Sequence, residues 1–406
     1  MSSKYRNFRN SVPWLILFWE VVFIILFYFL FSGVGLITPD FFDPAFQDVS
    51  HMVVFGLGFF LSFLKRYQLS GIGFNLLIVA FGVQWSVLIE GFILLYHNEM
   101  EDNLRSIIKA AMSVTAVVIS FAAILGKANP VQLVVMTIVE IAAFHLSRWI
   151  NKTYLKITDF ASMMHVHLFG AYFGLAVSCS FPVLRPGFEK NASTPRSRLL
   201  SVLGTLFLWV FWPSFNSVLV VERKNDIIYS TYFALAVSAV TAFALSVLTT
   251  KDGKVSMAHI HHATLAGGVT VGCAADSIRY PWIAMILGLL ASVIAIVGSH
   301  FLQRSLPPAI KIHDVSGVQF TFGLPAVLGA LACTILRIIE KWLYLPSDRY
   351  FIMIEIGTFC LPISVALISG FITGRILNLS LLKTVHESKY CDDQSYWEFP
   401  HSAVGF

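Results

Sequence analysis

Charge is scarce in this chain: 13% of its 406 residues are Asp, Glu, Lys or Arg, about half the share of a soluble globular domain. That shortage excludes a water-soluble fold of this length. Runs of Lys or Arg are also lacking, so the formal net charge of +5 describes no nucleic-acid surface. Cysteine is rare, with Cys179, Cys273, Cys333, Cys360 and Cys391 showing no pairing pattern. A disulfide framework is not expected, and the thiols read as small apolar groups. No GxSxG, Walker loop or HExxH sequence occurs, which removes the usual support for an enzyme. No cofactor is implied. A cleavable signal is not expected either, because Met1 to Asn10 is polar and the apolar run after it is long enough to stay as a membrane helix.

What is abundant is apolar sequence. Hydrophobic residues make up 57% of the chain and the mean hydropathy is +0.75. Crossing roughly 30 Å of hydrocarbon takes about 17 to 25 apolar residues in a helix. About twelve such runs are present, near 12–36, 50–64, 71–96, 105–125, 130–149, 161–183, 199–220, 227–248, 257–275, 281–302, 317–338 and 352–378, the second being the weakest. The expected fold is an all-α, multi-pass protein in contact with membrane lipid. Short connections predict one bundle over 12–378, with tails at 1–11 and 379–406. An even number of spans puts both tails on one side, and the larger share of Lys and Arg falls on that side, which the positive-inside rule makes cytoplasmic. Of the sequons at Asn151, Asn191 and Asn378, only Asn151 falls where a glycan could be added. The longer connections, 33–49 and 181–198, carry Pro39, Pro186 and Pro195 and read as surface loops. Gly170 with Gly174, Gly268 with Gly272 and Gly370 with Gly374 mark close helix contacts, within a subunit or between subunits.

Ionisable residues inside these runs are the candidates for function. Asp159 opens a stretch that carries His165 and His167. On one continuous helix they point about 200° apart, so each can face a lumen or a packed core but not one shared metal. His259, His261 and His262 stand near a helix start. Their spacing could hold zinc, although no matching Glu or Cys completes the set. Glu20, Glu90, Glu140 and Glu355 need a partner, a cavity or a proton, and Lys109 is expected to pair with Glu140. Pro213 within Trp212-Pro213-Ser214-Phe215-Asn216 either breaks its helix beside a pore or kinks it for packing.

Four ordered segments carry a resemblance. Leu125-Gly126-Lys127, the run from His167 to Leu175, the run from Phe211 to Ser217, and Leu265-Ala266-Gly267-Gly268-Val269 resemble the Rh branch of the ammonium transporter superfamily. The ends, Met1 to Tyr5 and Lys389 to Phe406, are similar to the Rh blood group D and CE group within it. The resemblance implies an eleven-helix core of two inverted five-helix repeats, one extra N-terminal helix and a trimer with one narrow pore per subunit. It implies passage of ammonia stripped from ammonium, since a neutral molecule crosses hydrocarbon far more cheaply than a cation. By the same resemblance His167 matches the first of two pore histidines, Asp159 the acidic residue near the ammonium path, Phe215 a gate phenylalanine and Met112 the second gate position. Phe322 falls where the second pore histidine belongs. Half of the imidazole pair is therefore replaced by a ring without hydrogen-bonding groups. The resemblance further implies the plasma membrane of erythroid cells, a complex with the Rh-associated glycoprotein, and linkage through ankyrin to the membrane skeleton.

Overall fold

A computed structural model describes residues 8, 10–31, 44–97, 103–182, 192–220, 222–302, 314–344, 349–382 and 384–398. Residues 1–7 and 399–406, the segment 32–43, Pro186 and Asn191 lie outside them. Among the described residues every regular element is helical. The helices are α1 (Val12–Phe31), α2 (Pro44–His51), α3 (Leu57–Phe60), α4 (Gln68–His97), α5 (Asn103–Ala123), α6 (Pro130–Tyr154) and α7 (Asp159–Met164). They continue with α8 (Val166–Ser178), α9 (Pro195–Ser217), α10 (Lys224–Thr249), α11 (Met257–Ala274), α12 (Pro281–Val297), α13 (Leu324–Tyr344) and α14 (Arg349–Leu377).

Ten of the resulting segments are long and apolar enough to cross a membrane. A shorter apolar stretch at Ala45–Phe60 and the 18-residue α11 account for the other two expected spans. In the weak second run α2 and α3 are joined by a π-helical stretch at Met52–Gly56, and the apolar helix they form together covers only Ala45–Phe60. The same device recurs at Gln319–Gly323, directly before α13. Set in order, α1 stands apart, two sets of five segments follow (α2/α3 to α7/α8, then α9 to α13), and α14 closes the chain. This is the all-α arrangement of an eleven-helix core plus one N-terminal helix.

Small residues set the helix spacing. A Cβ on Gly170 would sit 2.5 Å from the Ala116 carbonyl oxygen, and one on Gly174 would sit 2.5 Å from Ser120 Cα, so α8 lies against the α5 backbone. Gly370 meets the Phe173 carbonyl oxygen at 2.6 Å in the same way. These glycines pack inside the subunit. Pro213 does not break α9, which runs through it to Ser217. Of the two readings of that proline, a break in the helix is excluded.

Asn151 needs a second correction. It is buried within α6, and its Nδ2 donates to the Thr358 carbonyl at 3.1 Å. A glycan cannot be attached to that nitrogen in this fold.

The tail folds back under the bundle. The Asp393 carboxylate accepts from the backbone N–H groups of Leu69, at 2.9 Å, and Ser70, at 2.8 Å, capping the first turn of α4. Trp397 Nε1 donates to Ser70 Oγ at 2.9 Å, and Cys391 N donates to the Gly126 carbonyl at 2.8 Å. Gly126 has φ +80 and a Cβ there would meet Cys391 Sγ at 2.6 Å, so glycine is the residue that fits.

Candidate functional site: a ring-lined centre and an ion cluster

His165 ends α7 with φ −71 and ψ 0, and α8 restarts after it. The continuous-helix geometry assumed from sequence therefore does not apply. His165 lines a small recess with Arg337 and Glu355, whereas His167 points into the centre of the bundle.

The His167 ring is fully buried, and neither of its nitrogens has a hydrogen-bond partner. Its neighbours are aromatic. Trp212 stacks at 5.4 Å and 18°, Phe215 stands tilted at 5.6 Å, and Phe322 lies nearly parallel at 6.2 Å and 4°. Phe60 meets Phe322 edge-on at 6.2 Å and stacks on His261 at 4.0 Å. Trp212, Phe215, Phe322 and Phe60 are each no more than 1% exposed. Met112 is buried in the same hydrophobic core as Phe215 and Phe322. The fold thus brings His167, Phe215 and Phe322 together and places Met112 in their core. Phe60 and Trp212 are additional members. Trp212 stood inside the segment that carried the resemblance, but Phe60 had no signal beyond lying in an apolar run.

This centre can solvate a neutral molecule poorly and a cation hardly at all. A neutral imidazole offers one donor and one acceptor, and the surrounding rings offer none that face a guest except the Trp212 indole N–H, which is itself buried without a partner. Placing an unpaired charge there would cost many kcal/mol.

Asp159 lies elsewhere, within an ion cluster. Its carboxylate is 2.6 Å from Lys109 Nζ, 2.8 Å from Arg148 and 3.1 Å from Lys152. Glu90 joins through Arg148 at 3.2 Å, His145 at 3.1 Å and Lys109 at 3.6 Å, and His145 Nε2 bonds Ser86 Oγ at 2.9 Å. Two carboxylates thus face three permanent cations. The expected pairing of Lys109 with Glu140 is wrong, because Lys109 is drawn to the acids of α4 and α7. Glu140 instead accepts from Ser120 Oγ at 2.6 Å. Of the other two carboxylates, Glu20 takes Gln84 Nε2 at 3.3 Å and Glu355 takes Arg337 at 3.4 Å.

Two of the three histidines of α11 are held by hydroxyl groups of other segments. His261 bonds Ser201 Oγ at 2.9 Å and also Thr205 Oγ1, and His262 Nδ1 bonds Thr321 Oγ1 at 2.8 Å. Among the described residues no group of three His, Cys, Asp or Glu side chains converges as metal ligands.

His167, just after the interruption at His165, and Phe322, in the π-helical stretch 319–323, stand face to face on the last segment of each five-segment set. A profile of the Ammonium Transporter Family matches residues 15–399. The chain belongs to the ammonium transporter family. Within it, the chain is 42% identical to an RH-like protein of Macaca mulatta over 421 residues, covering all of both chains. It is 40% identical to the human blood group Rh(D) polypeptide over 424 residues and to the human Rh(CE) polypeptide over 423, again at full length. Among solved structures, Nitrosomonas europaea Rh50, described as one of the Rhesus protein family of channels, superposes with a TM-score of 0.74. That match is at 27% identity and covers 87% of this chain and 90% of Rh50. Saccharomyces cerevisiae Mep2 shares the fold, with a TM-score of 0.66 at 18% identity over 88% of this chain and 91% of Mep2. The resemblance read from the four sequence segments is therefore correct, and the multi-pass helical membrane fold follows with it.

Proposed function

We propose that this chain is an Rh-type membrane subunit whose path for ammonia runs past His167 and is throttled at Phe322. One observation carries the reading: His167 is a buried imidazole with both nitrogens unpartnered, held between Trp212 and Phe322. A structural histidine in so dry a place would normally be hydrogen-bonded. One left unpaired fits a group kept for a passing polar molecule. Phe215 serves as a gate ring and Met112 as the second gate position. Asp159 tunes the field at one mouth, already neutralised by Lys109, Arg148 and Lys152. The transported species is ammonia with ammonium as its source, because the ring-lined centre penalises a cation.

The subunit assembles as a trimer, with the Rh-associated glycoprotein as a partner, in the erythroid plasma membrane. Both tails face the cytoplasm, and ankyrin links the complex to the membrane skeleton. What supports this part is full-length similarity to the blood group polypeptides. Uptake of ammonium into liposomes holding the native chain or His167→Ala tests the transport reading. A slow flux that disappears with His167→Ala supports it, and a flux unchanged by that substitution sinks it.

A second reading is favoured by Phe60. Its edge-on contact with Phe322 and its stacking on His261 extend the aromatic filling beyond the position of a second pore histidine. In that reading the subunit conducts nothing and serves complex assembly, surface antigens and attachment to the skeleton. Native liposomes indistinguishable from empty ones would favour it.

A further inference from the structure

Glu140 stands in the middle of α6 and is fully buried, within a segment long and apolar enough to cross the membrane. Among the described residues its polar partner is Ser120 of α5, and its second oxygen, Oε2, is buried with no partner. The cations of the same two helices are committed elsewhere. Lys109 and Arg148 are held by Asp159 and Glu90, and Lys109 lies about three turns along α5 from Ser120. An ionised carboxylate taken out of water without a cation is too costly to persist, and such a group is neutralised instead.

The hydrogens can be counted. Ser120 Oγ is 2.6 Å from Glu140 Oε1 and 2.7 Å from the Gly170 carbonyl oxygen. Both are separations of O–H···O hydrogen bonds, yet a serine hydroxyl has one hydrogen to donate and a backbone carbonyl has none. Taken alone, the 2.6 Å contact is the hydroxyl donating to Glu140, but the Gly170 carbonyl changes that. If the hydroxyl donates to an ionised Glu140, the oxygens of Ser120 and Gly170 face each other at 2.7 Å with no hydrogen between them. If the acid carries the proton, its O–H donates to Ser120 Oγ and the Ser120 O–H donates to Gly170, so both contacts are satisfied. Oε2 is then a neutral carbonyl oxygen, which costs less to leave unpartnered than a charged one.

We infer that Glu140 is a buried proton-binding site: a neutral carboxylic acid that donates to Ser120 and, through it, ties α6 and α5 to the Gly170 carbonyl of α8. Gly170 lies one turn beyond His167 on α8, and it is where a Cβ would run into the Ala116 carbonyl of α5. The bridge thus joins three helices where two of them are in closest approach. Its proton makes Glu140 a positioning residue for the helix that carries the His167 ring. The inference goes beyond the transport reading and holds whether or not the pore conducts.

Infrared spectroscopy of the full-length protein in liposomes tests it, read as the native spectrum minus that of Glu140→Gln. The expected result is a carboxylic-acid C=O band that is lost with the substitution at neutral pH, where a free glutamate, with a pKa of about 4.3, is ionised. Ser120→Ala removes the acceptor of the acid O–H, so the same band should move to the higher frequency of a less hydrogen-bonded acid. That second variant keeps Glu140, so it gives the readout alone where Glu140→Gln does not fold. Loss of an ionised-carboxylate band in place of the acid band would overturn the inference. So would an acid band that Ser120→Ala leaves unmoved. Flux measurements decide the transport reading separately.

Discussion

Replacing Lys109 with Met removes the cation that bridges both carboxylates of the ion cluster. Its Nζ is 2.6 Å from Asp159 and 3.6 Å from Glu90, and the side chain is 6% exposed. Breaking a buried ion pair by deleting one partner costs about 3–5 kcal/mol, because the surviving charge stays desolvated. Here Asp159 keeps Arg148 and Lys152, and Glu90 keeps Arg148 and His145. The expected loss therefore sits near the lower end, about 3 kcal/mol. Asp159→Asn removes the other side of the same contact, so the two substitutions must couple. A double-mutant cycle on unfolding in mixed micelles, followed by tryptophan fluorescence, measures that coupling. The double variant should be less destabilised than the sum of the singles by at least about 1 kcal/mol. Added salt should change this little, since buried charges are poorly screened. Additivity to within about 0.5 kcal/mol would refute the claim that Lys109 and Asp159 form one electrostatic unit.

Three further outcomes follow from the loops and helix contacts. Asp393→Ala removes two hydrogen bonds to the start of α4, so it should cost about 1–2 kcal/mol. It should also make the tail a faster protease substrate, and an unchanged digestion rate would contradict the docking. Burial lowers the Lys127 ammonium, in the loop between α5 and α6, from 10.5 to about 8. The folded protein then binds fewer protons than the unfolded one between those values, so stability should rise with pH across roughly pH 8 to 10. Lys127→Met should be more stable than native at neutral pH and should flatten that rise. The nearby Tyr390 hydroxyl, pushed up to about 12 by burial, does not titrate in this window. Gly170→Leu drives a side chain into the Ala116 carbonyl, and loss of folded protein in size-exclusion chromatography is the expected result. A monodisperse, native-like peak would mean that α5 and α8 can separate.

Span count and order were legible because hydrocarbon thickness sets a length that apolar runs must meet, and the run at 50–64 was weak because its apolar helix, Ala45–Phe60, is short. His167, Phe215 and Phe322 could be placed by likeness of motif, and the fold brings them together. Phe60 could not, since a phenylalanine in an apolar run looks the same whether it faces lipid or a histidine. The partner of Lys109 was not legible because α5 and α6 do lie side by side, but Glu140 stands level with Ser120, about three turns along α5 from Lys109. The fold instead lets α4, α6 and α7 converge on it. Asn151 failed for a similar reason: a sequon gives residue types, while the buried contact with Thr358 comes from a helix some 200 residues later. The break at His165 was hidden because nothing in Met163-Met164-His165-Val166 disfavours a continuous helix.

The most direct test of the throttled path compares ammonium flux in liposomes holding equal densities of the native chain and Phe322→His. Restoring an imidazole opposite His167 gives a passing ammonia a second hydrogen-bonding group where the Phe322 ring now lies parallel at 6.2 Å. The predicted result is a flux several-fold above native in Phe322→His, lost again when His167→Ala is added. Equal or slower flux in a folded Phe322→His protein would contradict the claim that this ring limits the path.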